Sequence, residues 1–271
     1  MSSLAPLKKY LPSSLFKLGT FLKLLKSISL SDALRLRNSQ RKGQPHQEIQ
    51  FKLRALDATL ACRAQTSDFH TLQSTFVGHY HLPPGSLPPE SIILDLGSNI
   101  GYTLVDLGLR YPDATIVGYE MDEENFLLAR KNIAGVRNCR IIHQAVAEAP
   151  GTVSYDRNSP VDAFSISSGT NTNLESYASV ESTSIPEIMK LHNWSRIHYL
   201  KMDIEGAEAF LLSENSNVEW LDSVDCINIE IHAPLQPGPF IDLLNRHGFR
   251  AWRDTRHWSA VLGVRGESGS I

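Results

Sequence analysis

Ser91-Ile-Ile-Leu-Asp-Leu-Gly-Ser-Asn-Ile-Gly101 runs from an apolar stretch into a turn closed by glycine at both ends, and Tyr102–Arg110 follows at helical spacing. Ser91–Leu96 carries its apolar residues in one block, which predicts a strand buried on both faces. Downstream the pattern repeats: strand at Ala114–Tyr119, helix at Glu123–Ile133, strand at Cys139–Val146. Beyond a polar stretch come a strand at His198–Met202, a helix at Glu205–Ser213 and a strand at Val224–Ile231. Pro239–His247 reads as a helix, with Phe249–Arg253 and Ala260–Val264 as closing strands. Strands alternating with helices at this spacing predict an α/β fold: a doubly wound, mostly parallel, seven-stranded sheet. Only the short polar turn Asp254–His257 separates the last two strands, so one of them is expected to run antiparallel.

Such sheets take ligands outside the carboxyl ends of their strands, where the strand order reverses. The loop Asp95-Leu-Gly97-Ser98-Asn99-Ile-Gly101 lies at that position. Gly97 permits a tight turn and close approach of a ligand, and Gly101 lets the helix start against the strand. Glu120 ends the second strand, where an acid can accept hydrogen bonds from both hydroxyls of an adenosine ribose. Met121 is soft enough to lie against adenine, and Gln144, followed by Ala145, is placed to pair with its edge. A dinucleotide site calls for Gly-x-Gly-x-x-Gly, its diphosphate resting on the helix N-terminus. Here the third position is Asn99, and Asp95 would repel a diphosphate while suiting the amino group and sulfonium of S-adenosylmethionine. The latter is the expected cofactor, with S-adenosylhomocysteine as product.

At Asp95–Gly101, at Gly118-Tyr-Glu120, and above all at Tyr199-Leu-Lys-Met-Asp-Ile-Glu-Gly-Ala-Glu208, the chain resembles the FkbM-type methyltransferases. Arg63-Ala-Gln-Thr-Ser-Asp68, with Phe76 and Tyr80 after it, looks like the element preceding the core in many members. The similarity spans roughly residues 49–264. It implies a Rossmann-like class I methyltransferase fold and methyl transfer, commonly to a hydroxyl of a sugar, glycan or secondary metabolite. Asp95, Gly97, Asn99, Gly101 and Glu120 match the family's cofactor positions.

The catalytic end is read from the later strand ends. Asp203 closes the fourth strand and is assigned to both cofactor and catalysis. Glu205 is assigned to the active site and Glu208 to the helix N-terminus, which acids stabilise. Alternation places Glu230 and His232 on one face of the fifth strand. With an ordinary pKa of roughly 6.5, histidine can take a proton from a hydroxyl near neutral pH. His232 or Asp203 is therefore the expected base for an in-line displacement. Asp203, Glu205, Glu230 and His232 can also gather a divalent cation, but a metal-free site is the expectation. Ser67 and Tyr80 are expected near the substrate.

The 271 residues are 42% hydrophobic and 20% charged, as for an ordinary soluble chain. Cys62, Cys139 and Cys226 each stand in an apolar run and read as buried thiols in a reducing compartment. Residues 1–54 hold 11 of the 26 lysines and arginines against only Asp32 and Glu48. This basic arm precedes an acidic body, and weak peripheral contact with a membrane surface is one use for it. Lysines 17, 23 and 26 interrupt the apolar stretch Leu15–Leu30, so no transmembrane segment is expected and the chain is placed in the cytoplasm. The expected organisation is a basic helical extension (1–45), a β-hairpin and helix (46–90), and the cofactor-binding core (91–271). Residues 156–182, rich in Ser, Thr and Asn, read as a long functional loop. The expected partner is a small-molecule or glycan acceptor, with a homodimer allowed. Nucleic acid is disfavoured: the body is acidic, and Asp203-Ile-Glu-Gly stands where base methylases carry Asn/Asp-Pro-Pro-Tyr/Phe. The alternatives are an N-methyltransferase of a small molecule, a nicotinamide-dependent oxidoreductase, and a non-catalytic protein that binds the same cofactor.

Overall fold

The computed structural model describes residues 13–156, 177–213 and 216–266. The chain divides into two units, Met1–Tyr80 and His81–Ile271. In the first, helices α1 (Ser13–Leu24) and α2 (Leu30–Lys42) precede the antiparallel strands β1 (Glu48–Lys52) and β2 (Thr59–Arg63), as their patterns predict. Helix α3 (Asp68–Gln73) follows and widens into a single π-helical turn at Ser74–Gly78. Asp68 is buried and accepts from the Arg63 guanidinium at 2.9 Å, closing β2 onto α3. Thr66 rather than Ser67 caps that turn: its hydroxyl accepts from the Asp68 amide at 3.2 Å.

The second unit alternates as expected. Its elements are β3 (Ile92–Leu96), α4 (Tyr102–Arg110), β4 (Thr115–Glu120), α5 (Glu123–Asn132), β5 (Cys139–His143), β6 (Ala145–Val146), β7 (Gly151–Asp156) and β8 (Tyr177–Thr183). Then come α6 (Ile185–Leu191), β9 (Tyr199–Met202), α7 (Glu208–Leu211), β10 (Cys226–Glu230), α8 (Pro237–Arg246), β11 (Phe249–Arg253) and β12 (Ala260–Arg265). The main sheet has seven strands in the order β11-β12-β10-β9-β3-β4-β5. Only β12 runs against its neighbours, β10 and β11, so the short turn before it makes the antiparallel edge. The order reverses between β3 and β9, and that pair is the switch point. Leu94, Leu96, Val117, Tyr119, Leu200, Met202, Ile227 and Ile229 form one buried face, covered by Ile185 and Ile188 of α6 and by Phe240, Leu243 and Leu244 of α8. The opposite face receives α4, whose Leu104 lies where a Cβ on Gly118 would reach it at 2.7 Å.

Three local expectations need correction. The strand expected over Cys139–Val146 breaks after His143, and Ala145–Val146 pairs instead with β8 in a separate three-stranded sheet, β6-β8-β7. The expected loop over 156–182 ends in strand at Tyr177, and residues 157–176 lie outside the described residues. The helix expected over Glu205–Ser213 spans only Glu208–Leu211. Glu205 (φ 56°) and Gly206 (φ 98°) adopt left-handed backbone, which an α-helix does not accommodate. Among the described residues, no helix is long and apolar enough to cross a membrane. The three cysteines are buried.

Candidate functional site

Gly97 makes the switch point possible. It leaves β3 at φ 76°, and a Cβ there would lie 1.7 Å from the Asp203 carbonyl oxygen. The two chain segments therefore meet backbone to backbone at Gly97, and the Asp203 amide donates to the Leu96 carbonyl at 2.9 Å. Gly101 (φ 82°) sits with its α-carbon against Ala129 of α5, and a Cβ would meet the Ala129 Cβ at 3.0 Å.

A cleft of about 660 Å³, open mouth included, lies over these strand ends. It is lined by Gly97, Asn99, Glu120, Met121, Gln144, Ala145 and Asp203, and also by Tyr119, Asn125, Val146, Ile204, Glu205 and Ala207. The first seven are cofactor positions expected from sequence. Tyr119, Asn125, Val146, Ile204 and Ala207 were not foreseen. Asn125 had a usable signal: it lies three residues past the helix cap Asp122, whose Oδ1 accepts its amide at 2.9 Å.

Glu120 is held at the cleft from below. The Asn99 amide donates to its Oε2 at 2.8 Å and the Asp122 amide to its Oε1 at 2.9 Å. Burial raises its pKa to about 7 against those two donors. Each oxygen keeps acceptor capacity.

Three expected cofactor residues do not line the cleft. Gly101 packs on α5 as described. Ser98 is buried and donates to the Asp95 carbonyl at 3.0 Å. Asp95 is fully buried; the Thr103 hydroxyl donates to its Oδ2 at 2.5 Å, and Lys201 Nζ is 3.3 Å from its Oδ1. Asp95 and Lys201 are register partners on β3 and β9 and so share a face. The same ammonium lies 3.4 Å from Asp203 Oδ2, which links the buried carboxylate to the one in the cleft. Asp95 thus braces the switch point from behind the cleft. Acids do line the cleft, in Glu120, Asp203 and Glu205, and no Lys or Arg is among the described lining residues.

The later strand ends converge as alternation implied. His232 Nε2 is 3.5 Å from Asp203 Oδ1, 3.3 Å from Glu205 Oε2 and 4.0 Å from Glu230 Oε1. Its Nδ1 lies 3.0 Å from Glu208 Oε1, which also accepts from the Ile204 amide at 3.0 Å. Glu208 therefore closes the turn before α7 and also holds the imidazole. Burial by itself would lower the His232 pKa. The Glu208 hydrogen bond and the charges of Asp203, Glu208 and Glu205 outweigh it and raise the value to about 9. With these groups alone around it, His232 keeps its proton at neutral pH, and the expectation of a base with an ordinary histidine pKa does not hold. Burial first, then Asp203, raises Glu230 to about 8. Sequence reasoning missed the β11–β12 turn, where the Ser259 hydroxyl donates to Glu230 at 3.4 Å and His257 Nε2 lies 3.8 Å away. Ser67 and Tyr80 belong to the first unit and are not among the residues lining the cleft.

Residues 95–251 match the methyltransferase FkbM domain family. The match covers more than half of the chain, and the chain belongs to this family. It is a methyltransferase with the Rossmann-like class I fold, and S-adenosylmethionine is its cofactor. Among solved structures, the precorrin-6y C5,15-methyltransferase of Geobacter metallireducens is 10% identical, covering 66% of this chain and 81% of that chain with a TM-score of 0.39. The Methanococcus jannaschii fibrillarin pre-rRNA processing protein is 13% identical, covering 71% and 74% with a TM-score of 0.42. The M. capricolum TrmK, solved with the cofactor product S-adenosyl-homocysteine, is 11% identical, covering 65% and 62% with a TM-score of 0.33. Likenesses this distant say nothing about the acceptor. No curated protein matches the chain.

Proposed function

We propose that the chain methylates a hydroxyl oxygen of a small-molecule or glycan acceptor. The observation that carries the reading is that Asp203 and Glu205 belong both to the cofactor cleft and to the carboxylate–imidazole cluster with Glu230 and His232. Glu120 is the proposed acceptor for the ribose hydroxyls, Met121 and Val146 the apolar wall, and Gln144 the partner for the adenine edge. The lining suits this cofactor: a buried carboxylate backed by two amides, and further acids that favour a cation over a diphosphate. When bound, S-adenosylmethionine would supply an activated methyl group to an acceptor oxygen, with S-adenosylhomocysteine as the leaving group. Asp203 lines the cleft, and its carboxylate is the proposed acceptor of the proton that the hydroxyl gives up. His232, anchored on Glu208, and Glu230, anchored on Ser259, set the field around that carboxylate.

The test is incubation with cofactor methyl-labelled in carbon-13 and a panel of sugars, polyols, phenols and amines, read by NMR. Methyl signals at O-methyl shifts on a hydroxyl acceptor support the reading. Transfer confined to amines would replace it with N-methylation. Binding of S-adenosylhomocysteine without turnover on any acceptor would leave a non-catalytic cofactor-binding protein.

A further inference from the structure

We propose that Asp203, Glu205 and His232 hold a divalent cation of the first transition row at the cleft, with an open coordination position for the acceptor's oxygen. Only the acceptor's part in this rests on the methyl-transfer reading above; the cation site stands on its own geometry. One ligand atom from each of the three residues lies within 4.8 Å of the others.

The spacing is the first argument. Nε2 of His232 stands 3.5 Å from Asp203 Oδ1 and 3.3 Å from Glu205 Oε2. A charge-assisted hydrogen bond would draw such atoms to about 2.7–2.9 Å. Two atoms each about 2.0–2.2 Å from a tetrahedral metal stand about 3.3–3.6 Å apart. The two separations from Nε2 fall in that range.

Support from behind is the second. A metal-binding imidazole is commonly oriented by a carboxylate on its other nitrogen. Glu208, wholly buried, occupies that place with Oε1 at 3.0 Å from Nδ1. Its Oε2 is buried and has no hydrogen-bond partner among the described residues. A sealed carboxylate oxygen beside the imidazole calls for positive charge nearby.

The surrounding charge is the third. Asp203, Glu205, Glu208 and Glu230 surround one imidazole, and the ammonium of Lys201 is shared with the buried Asp95. The ligand types select the ion. Magnesium and calcium favour oxygen alone, whereas an imidazole with two carboxylates suits manganese or zinc.

Three protein ligands leave a position open, as in catalytic zinc sites. Asp203 and Glu205 line the cleft and His232 does not, so the open side faces the cleft. An acceptor hydroxyl there becomes more acidic. Its O–H bond breaks, the proton passes to a carboxylate of the cluster, and the electron pair stays on the oxygen that attacks the methyl carbon. The proposal departs from the metal-free expectation drawn from the sequence.

The test strips the full-length chain with EDTA and dialyses it. It is then titrated with MnCl2, followed by electron paramagnetic resonance, and with ZnCl2 by calorimetry. One ion per chain is expected, with affinity falling more than about 30-fold in both His232→Gln and Glu205→Gln. Wild-type binding weaker than about 1 mM, or equal binding in the two variants, overturns the proposal. Circular dichroism melts confirm that the variants fold, and Glu205, partly exposed, is the substitution least able to unfold the chain. Binding of S-adenosylhomocysteine by the stripped wild-type chain is measured separately. The cofactor reading and the cation site can therefore fail independently.

Discussion

The two ends of the cleft are built in opposite ways. At the β4 end a single carboxylate, Glu120, is held by two backbone amides, that of Asn99 in the turn after β3 and that of Asp122 two residues on. At the β9–β10 end the side chains hold one another: His232 from beyond β10 meets Asp203, Glu205 and Glu208 from the segment after β9. Backbone amides tolerate exchange of neighbouring side chains, whereas a side-chain cluster changes with every member. The comparison teaches that the β4 end rests on backbone donors, whereas the β9–β10 end rests on side chains that depend on one another.

The largest effect is expected where both ends meet. Gly97→Ala puts a Cβ within 1.7 Å of the Asp203 carbonyl, so β3 and β9 must part. A loss above about 4–5 kcal/mol is expected, seen as a collapse of the urea midpoint. A near-native midpoint would show that the switch point can relax. Next, Asp203→Asn should lower turnover about 10²–10⁴-fold, with S-adenosylhomocysteine affinity much less affected. Equal losses in both would merge the two ends into one binding site. Lys201→Met strands the buried Asp95 carboxylate and should cost about 3–5 kcal/mol in stability. A smaller change would mean that the Thr103 hydroxyl suffices for Asp95.

The gentlest break is Glu120→Gln, expected to weaken S-adenosylhomocysteine about 10–100-fold while the fold survives. Glu120 also predicts a pH dependence. Its folded pKa of about 7 lies above the ordinary 4.5, so burial favours the protonated form. The wild type therefore loses stability relative to Glu120→Gln as pH rises from about 4.5 to 7, and the difference is constant above that. Cofactor affinity should rise over the same upper range as the carboxylate ionises. A flat affinity profile from pH 6 to 8 would remove Glu120 from the ribose.

The cofactor end was legible because its determinants are contiguous. Strand, turn and helix over residues 91–110 follow from an apolar run and two glycines, and Glu120 from its place at the end of the next strand. The burial of Asp95 was not legible for a physical reason: an acid near the end of a strand reads the same whether it lines a cleft or faces a buried lysine. Only the register that pairs Asp95 with Lys201 separates the two. The β6-β8-β7 sheet escaped because the polar residues between β7 and β8 masked the pattern that flanks them. Ala207 escaped because nothing in its type marks a cleft wall, whereas Asn125 was marked only by its place three residues past the helix cap Asp122.

What the sequence determined by itself is the order of strands and helices, the glycine turn and the family, because these are written in local periodicity and in a contiguous block. Tertiary structure alone decided that Asp95 is sealed away from the cleft, that Glu208 holds His232, and that Lys201 is shared between Asp95 and Asp203. Those pairings join positions up to 106 residues apart, counted between Asp95 and Lys201. Contacts at such separation depend on strand register and on the direction each side chain takes, which no local pattern encodes.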